Sequence, residues 1–436
     1  MGLPIKEYLL KEYLLAGLTA AVITFLLVGA VRVMAVKFGA VAWPRGRDVH
    51  TTPTPRWGGI AMLGGVLAGV AIAYQLPALR LAFDTNTEEV LGAVIAAVVL
   101  CVVGIIDDRY ELDALTKFAG QITATGALLF FGVQWTVVWV PWGGPNGQLL
   151  SLGQEQGALL TVLLTVALVN AMNFIDGLDG LAAGVGAIAA TATGLFALGL
   201  VGVAGNDPSV YSPALIAFLL AGACLGFLPH NFSPARIFMG DSGSMLIGIM
   251  LAAATTIASG KQTPSSFTNL LALLSPLIVL AAVVFVPFLD LLLAVVRRTR
   301  KGLSPFAPDK MHLHHRLLEI GHSQRRAVLL IYLWAGMLAF GSVALTLIGD
   351  PVLVLVTLGV GMVLAVLATA IPRLRRLAPV STRPGPPSSG LPSPGDARDV
   401  PPNGSAPTVP IRTGHPGQSD LADRGLSQVR GRRVPR

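Results

Sequence analysis

The chain has 436 residues, of which 53% are hydrophobic and only 12% are charged. Since a soluble domain has about a quarter charged residues, this composition and a mean hydropathy of +0.69 exclude an ordinary soluble protein and indicate a polytopic membrane protein. The net charge of +8 does not indicate a nucleic-acid partner, because the tail from residue 372 holds 11 Arg and 4 Asp and so accounts for +7 of it.

Apolar runs long enough to cross a bilayer, which takes roughly 20 residues, recur throughout the first 371 residues. They predict an all-α fold of about 11 transmembrane helices, near 13–36, 58–76, 89–106, 116–132, 157–172, 181–203, 212–229, 242–259, 269–296, 327–348 and 352–371. Residues 1–371 form the predicted transmembrane domain. Residues 372–436, rich in Pro, Gly, Ser and Arg, are predicted to be a disordered tail because they contain few large apolar residues.

Basic residues are distributed unequally between the two sets of loops. One set holds most of them: Lys37, Arg45, Arg47, Arg56, Arg109, Lys117, Arg236, Arg297, Arg298, Arg300, Lys301, Lys310, Arg316, Arg325 and Arg326. The other set, with the N-terminal segment, holds Lys6, Lys11, Arg80 and Lys261. The positive-inside rule places the first set in the cytoplasm. We therefore expect the N-terminus outside, the tail in the cytoplasm, and a location in the cell membrane.

Carboxylates gather at helix ends on the predicted cytoplasmic side. Asp107 and Asp108 end the third predicted helix, Asp176 and Asp179 lie between the fifth and the sixth, and Asp241 begins the eighth. A charge at a membrane boundary is costly unless something binds it, so these residues are functional candidates. Their hard oxygen atoms suit Mg²⁺, which takes one or two carboxylates and keeps water and substrate phosphates as its other ligands.

Most of these carboxylates also have a structural interpretation. The Asp-Asp pair could be a solvated helix end that is paired with Arg109, Asp179 could cap the sixth helix, and Asp241 could cap the eighth. Asp176 has no such explanation, and it is the stronger candidate for a ligand of metal or nucleotide.

Other polar residues can contact a phosphorylated ligand. Asn170 and Asn173 precede Asp176 at helical spacing and can add amide contacts. Arg56 is either an anion clamp or a positive-inside anchor. Exposed N–H groups at the helix start 240–243 favour phosphate.

Three histidines, His312, His314 and His315, lie in the longest predicted cytoplasmic loop. Zinc binding would need a fourth ligand at the usual spacing, and the two cysteines are distant. Histidines beside a diphosphate explain the run better.

Taken together, these runs resemble the polyprenyl-phosphate N-acetylhexosamine-1-phosphate transferases. The resemblance covers about residues 10–370 and rests on Asp-Asp at 107–108, NFIDGLDGL at 173–181, FMGDSGS at 238–244 and PDKMHLHH at 308–315. It implies a catalytic membrane domain that uses Mg²⁺, with Mn²⁺ as the alternative ion. Such an enzyme moves a sugar-1-phosphate from a UDP-sugar to a polyprenyl phosphate and releases UMP.

On this basis we predict three groups of site residues. The catalytic group is Asp107, Asp108, His312, His314 and His315. The substrate-binding group is Arg56, Asn170, Asn173, Asp176, Asp179 and Phe238. The metal ligands are Asp241, Asp108 and Asp176. For the Asp-Asp pair we favour positioning and charge effects over base catalysis, with a covalent aspartyl-phosphate as a third route.

The branch of the family is indicated by the histidines. The HxHH form at 312–315 resembles the transferases of N-acetylglucosamine-1-phosphate, which begin cell-envelope polysaccharides. The branch that transfers phospho-MurNAc-pentapeptide usually has three consecutive histidines, and Leu313 interrupts them here, so a peptidoglycan role is the alternative. A cation-coupled transporter is the rival from another class, but its site would lie near the midplane of repeated halves. The sequence leaves a homodimer open.

Overall fold

Ten α-helices are described over their whole length in this computed structural model. The described residues are 5–44, 52–140, 148–261, 299–300, 302, 323–348 and 350–370, and they belong to one unit. The helices are α1 Ile5–Lys37, α2 Gly58–Gln75, α3 Pro77–Tyr110, α4 Ala114–Phe130, α5 Gln154–Ile175, α6 Leu181–Val203, α7 Ser212–Asn231, α8 Gly240–Gly260, α9 Gln324–Leu347 and α10 Pro351–Ala370.

Two short antiparallel hairpins and one 3₁₀ turn, Pro208–Val210, interrupt the helical pattern. Strand β1 Val41–Ala42 pairs with β2 Thr54–Pro55, and β3 Val137–Val140 pairs with β4 Gln148–Ser151. The sequence pattern predicts no strand here, because runs this short resemble ordinary loop. The first hairpin matters for the site, since it leads directly into α2.

The multi-pass helical prediction is confirmed. Within the described ranges, eight helical segments are long and apolar enough to cross a membrane: Tyr8–Lys37, Gly58–Gln75, Pro77–Tyr110, Gln154–Ile175, Leu181–Val203, Pro208–Asn231, Gly240–Gly260 and Gln324–Leu347. Helices α4 and α10 occupy two further predicted spans. The predicted span at 269–296 and the tail lie outside the described residues, so the count of 11 and the sidedness stay predictions.

Helix α3 begins earlier than the predicted span at 89–106. Its first turn starts with Pro77, whose ring is suited to that position, and the helix bends at Asn86, where φ is −139°. The Asn86 side chain donates to the Ser209 carbonyl at 2.7 Å. The polar residues around the bend lower the local hydropathy, so the predicted span begins after them.

Helices α2, α3 and α8 meet closely at one end of the bundle. A Cβ atom at Gly59 or Gly104 would overlap the backbone of Ser242, in the first turn of α8. Only glycine permits this approach. Helices α3, α5 and α7 end here and α2, α4, α6, α8 and α9 begin here; we call it the site end, and the other the opposite end.

Candidate active site

Asp108 caps the start of α8 from a different helix. Its Oδ1 accepts the backbone N–H of Asp241 at 2.9 Å, and its Oδ2 accepts the N–H and the hydroxyl of Ser242 at 3.2 and 3.0 Å. These N–H groups have no partner within α8 itself. Gly240 has φ of 71° and a Cβ there would collide with the Asp108 carboxylate, so glycine is required on both counts. Asp108 therefore joins the ends of α3 and α8.

Lys117 lies between two carboxylates from different helices. Its Nζ is 2.6 Å from Asp107 Oδ2 and 2.8 Å from Asp241 Oδ2. The second oxygen of Asp107 accepts the backbone N–H of Leu112 at 2.8 Å. The Asp107 side chain is 7% exposed, whereas the Asp241 side chain is 24% exposed. Asp241 is thus the carboxylate that faces an incoming ligand.

The N-terminus of α4 is fixed by a side-chain cap. Asp113 accepts the backbone N–H and the hydroxyl of Thr116, each at 2.9 Å. These hydrogen bonds lower the pKa of the Asp113 carboxyl. Because Lys117 follows one turn later, the cap helps to set the height at which its ammonium group meets the aspartates.

Asp176 ends α5 and joins the same electrostatic cluster. Burial, followed by the charges of Asp241 and Asp108, raises the pKa of the Asp176 carboxyl to about 8, and Arg56 partly offsets this. A carboxyl of this kind needs a nearby positive charge in order to ionise at neutral pH. Asp176 is therefore suited to bind a cation or a hydrogen-bonding ligand.

Asp179 plays a different part from Asp176. The cap residue of α6 is Gly180, which has no side-chain cap, so the interpretation of Asp179 as a cap is wrong. Its Oδ2 instead accepts the N–H of Ala235 at 3.1 Å, in the loop before α8. Asn231, only 2% exposed, accepts the N–H of Gly180 and donates to the Ile237 carbonyl, each at 3.0 Å. These contacts join the two loops beside the cluster.

Helix α9 contacts both of these loops. The Tyr332 hydroxyl donates to the carbonyl of Gly180. Arg325 Nε donates to the Ser233 carbonyl at 2.8 Å. The loop between α5 and α6 is therefore held by α7, by the loop before α8 and by α9, and Arg325 holds the second of these loops.

The turn before α2 joins three site elements through Trp57. This residue has φ of 79°, an unusual conformation for a bulky side chain, and its indole N–H donates to the Ile105 carbonyl at 3.1 Å. Gly58 and Gly59 donate to the carbonyls of Phe238 and Met239 at 3.1 and 3.2 Å. The turn thus fixes the position of Arg56 beside α3 and α8, with Phe238 in direct backbone contact.

The two predicted asparagines have separate partners. Asn173 Nδ2 donates to the Ser244 hydroxyl at 3.0 Å, one turn below Asp241. Asn170 pairs with Gln121 of α4. Asn173 therefore lies beside the carboxylates, and Asn170 lies behind them.

Some predictions about site residues are wrong, and others lie outside the described residues. His312, His314 and His315 lie outside the described residues, and their roles stay predictions. Arg109 does not pair with the aspartates, because its Nε donates to the Phe38 carbonyl at 2.8 Å. Asp241 is inside the first turn of α8 and is not its cap. Over the described ranges, no group of three or more His, Cys, Asp and Glu residues is arranged to hold a metal ion.

Lys117 is the main site residue that the sequence analysis did not select. In the sequence, its charge contributes only to the positive-inside pattern. One signal was present: a lysine one turn after a capping Asp-x-x-Thr, in a helix with no acidic residue to pair with it. Gln121, Asn231 and Tyr332 carried no comparable signal, because their partners are distant in sequence.

These features define a polytopic membrane protein with a carboxylate and lysine cluster at one end of its helices. The model of Glycosyl transferase family 4 matches residues 90–259, which contain this cluster. The decaprenyl-phosphate N-acetylglucosaminephosphotransferases of Mycolicibacterium smegmatis and Mycobacterium tuberculosis are 56% and 55% identical over 350 residues, 80% of this chain and 85% and 86% of theirs. A probable undecaprenyl-phosphate N-acetylglucosaminyl 1-phosphate transferase of Bacillus subtilis is 34% identical over 72% of this chain and 80% of its own. The chain belongs to glycosyl transferase family 4.

Proposed function

We propose that the protein transfers N-acetylglucosamine-1-phosphate from UDP-N-acetylglucosamine to a polyprenyl phosphate and releases UMP. The names of its relatives support this branch over the peptidoglycan branch and over a transporter. The observation that carries the proposal is the contact of Lys117 with both Asp107 and Asp241 at the edge of the apolar helices. This contact places positive and negative side chains together at the position where a polyanionic donor and a lipid phosphate would bind.

The residues around the cluster suit a diphosphate. Lys117 and Arg56 supply positive charge, and the first turn of α8 presents N–H groups of which Asp108 already occupies two. Charges that are fixed before the substrate arrives stabilise a developing charge without reorganisation. Asp176 and Asn173, at the end of α5, are available for the nucleotide or for a cation.

The donor set also fits Mg²⁺, or Mn²⁺ in its place. Asp107 and Asp241 converge on a point where a positive group, the ammonium of Lys117, is already stabilised. Two carboxylates with water and substrate phosphate are a usual environment for Mg²⁺. Asp108 was also predicted as a ligand, but both of its oxygens already accept donors of α8. We therefore propose Asp241 as the principal ligand with Asp176 near it, and Asp108 as the residue that orients Asp241. A bound Mg²⁺ would neutralise charge on the diphosphate.

The acceptor needs little activation. A phosphate monoester has a second pKa of about 6, so the lipid phosphate is largely a dianion at neutral pH. One of its oxygens attacks the sugar-linked phosphorus, and the bond from that phosphorus to the bridging oxygen breaks as UMP leaves. Asp107 is held by Lys117 and the Leu112 N–H, which favours a positioning role for this carboxylate over that of a base.

The membrane and its sidedness belong to the same proposal. We place the protein in the cell membrane with the site end facing the cytoplasm, where a UDP-sugar donor would reach it. The N-terminus is then outside, and residues 372–436 follow the last span on the cytoplasmic side.

The test is UMP release by the purified protein with UDP-N-acetylglucosamine, a polyprenyl phosphate and Mg²⁺. We expect Asp241→Asn to lower UMP release by at least about 100-fold, as for loss of a group that stabilises transition-state charge. Asp84→Asn, an exposed change in the opposite half of α3, should leave it unchanged. Near-wild-type turnover by Asp241→Asn in a folded protein contradicts the metal assignment.

Two further arms separate the alternatives. UDP-MurNAc-pentapeptide in place of the donor should give no UMP, and turnover with it would support the peptidoglycan branch. Exchange of labelled UMP into UDP-N-acetylglucosamine without any lipid acceptor would indicate a covalent enzyme intermediate, and we expect none.

A further inference from the structure

Helix α4 buries few large apolar side chains, and its Leu115, Phe118 and Phe130 are exposed. Its buried residues are Gln121, Ala124, Thr125 and Leu128, and only Leu128 has a large apolar side chain. Helix packing depends on side-chain ridges that fit into grooves, and small residues give weak ridges. Besides the Asp113 cap and the close approach of Gly120 to Val103 of α3, a polar contact can therefore help to set the rotation and height of this helix, which carries Lys117.

A reciprocal amide pair joins α4 to α5 one turn from Lys117. Asn170 Nδ2 donates to Gln121 Oε1 at 2.8 Å, and Gln121 Nε2 donates to Asn170 Oδ1 at 3.4 Å. Gln121 is 3% exposed, and Asn170 also donates to the Val166 carbonyl at 2.7 Å. A buried polar pair in an apolar interface specifies register, because other alignments leave its donors and acceptors unsatisfied.

The pair and Lys117 lie on the same face of α4. Residues four apart are neighbours on a helix surface, and a slip of one turn moves a side chain by about 5.4 Å. Lys117 reaches Asp107 and Asp241 at 2.6 and 2.8 Å, so such a slip would break both contacts.

We propose that Gln121 and Asn170 are positioning residues, which hold Lys117 between Asp107 and Asp241 by fixing the register of α4 against α5. Asn170 then serves the reaction from behind the site and does not touch the substrate. The link to turnover depends on the proposed function, but the position of Lys117 does not.

The first measurement is the rate at which an amine-reactive ester modifies Lys117 in the purified protein without substrate, followed by mass spectrometry. In Gln121→Leu and Asn170→Leu, the rate should rise by about three- to tenfold, since an interhelical hydrogen bond in a membrane contributes ~0.6–1.5 kcal/mol. Thr125→Val is the matched control. Thr125 is fully buried on the same face of α4, and among the described residues its hydroxyl bonds only to the Gln121 carbonyl of its own helix.

The second measurement is steady-state turnover. Each single variant should lower kcat by a similar factor with less change in the KM for UDP-N-acetylglucosamine. The kcat of the double variant should be no lower than that of either single variant, because the two residues act as one unit. Gln121→Asn with Asn170→Gln exchanges the two amides, keeps their combined length, and should restore both readouts to within about threefold. If Gln121→Leu does not fold, Gln121→Met replaces it.

Three outcomes would overturn the proposal. Wild-type labelling of Lys117 in a folded Gln121→Leu protein would show that the pair does not position it. An equal effect of Thr125→Val would assign the change to loose packing. A raised KM in Asn170→Leu alone, without rescue by the exchange, would make Asn170 a substrate contact. Absence of turnover in the wild-type protein would refute only the proposed function, because labelling needs no activity.

Discussion

At the residue scale, the charges of the site depend on Lys117. Asp107 and Asp241 point at one ammonium group, and without it the two carboxylates would repel each other. Lys117 is 29% exposed, so its charge remains accessible to a ligand while it holds the aspartates together. One side chain thus holds the two aspartates together and can also contact a phosphate.

We predict that Lys117→Met lowers UMP release by at least about 100-fold, because a fixed positive charge at the reacting phosphates is lost. Lys117→Arg keeps the charge and should retain more turnover than Lys117→Met. The measurement is UMP release per folded protein. Lys261→Met is the matched control, because Lys261 pairs with Glu89 at 2.6 Å at the opposite end. If Lys117→Met and Lys261→Met have equal turnover, Lys117 has no role in the reaction.

The sequence could identify the aspartates of the site, but it could not identify the hydrogen-bond partner of each one. A charge next to a long apolar run is visible in the sequence, and all five selected aspartates do lie at the site end. Their partners are not visible, because Asp108 contacts residues more than 130 positions away. Asp179 illustrates the limit: its place before α6 suggested a cap, whereas it bonds to a distant loop.

At the scale of the element, α3 takes part in a cap between helices at each of its ends: its Asp108 caps α8 at the site end, and its own first turn is capped from α1. At the opposite end, Glu12 of α1 accepts the N–H groups of Ala78 and Leu79, at 3.0 and 2.8 Å for its Oε2. Glu12 is only 5% exposed. A negative charge at a helix N-terminus is favourable, so Glu12 anchors the start of the helix that ends in Asp107 and Asp108.

We predict that Glu12→Gln lowers the stability of the protein by about 1–2 kcal/mol, since charge-assisted hydrogen bonds to backbone N–H groups are replaced by weaker ones. Thermal unfolding in detergent measures this. Glu88→Gln changes an exposed residue of α3, the helix that Glu12 caps, and serves as the control. Equal stability of the two variants would show that the Glu12 contacts contribute nothing.

The helices themselves were largely predictable, because a run of apolar residues long enough to span a bilayer has few alternatives to an α-helix. The N-terminal half of α3 and the strands were not. The former contains Asp84, Thr87 and Glu88, which lower its hydropathy, and the latter depend on pairing partners that a local pattern does not identify.

At the scale of the whole molecule, the described residues separate their charges by end. Basic residues near the site end include Lys37, Arg56, Arg109, Lys117, Arg236, Arg325 and Arg326. Those near the opposite end include Lys11, Arg80 and Lys261. The positive-inside rule then predicts that the site end faces the cytoplasm. The same asymmetry puts the positive field on the side where an anionic donor would approach.

This orientation can be tested with two matched cysteine variants. Cys101 and Cys224 are free and fully buried, so they should react little with a membrane-impermeant maleimide. Ala114, at the start of α4, and Ala204, just after α6, are both exposed and lie at the two ends. In cells stripped of their outer envelope, we expect Ala204→Cys to be labelled directly and Ala114→Cys only after permeabilisation. The reverse pattern would place the aspartates outside, where a cytoplasmic nucleotide sugar could not reach them.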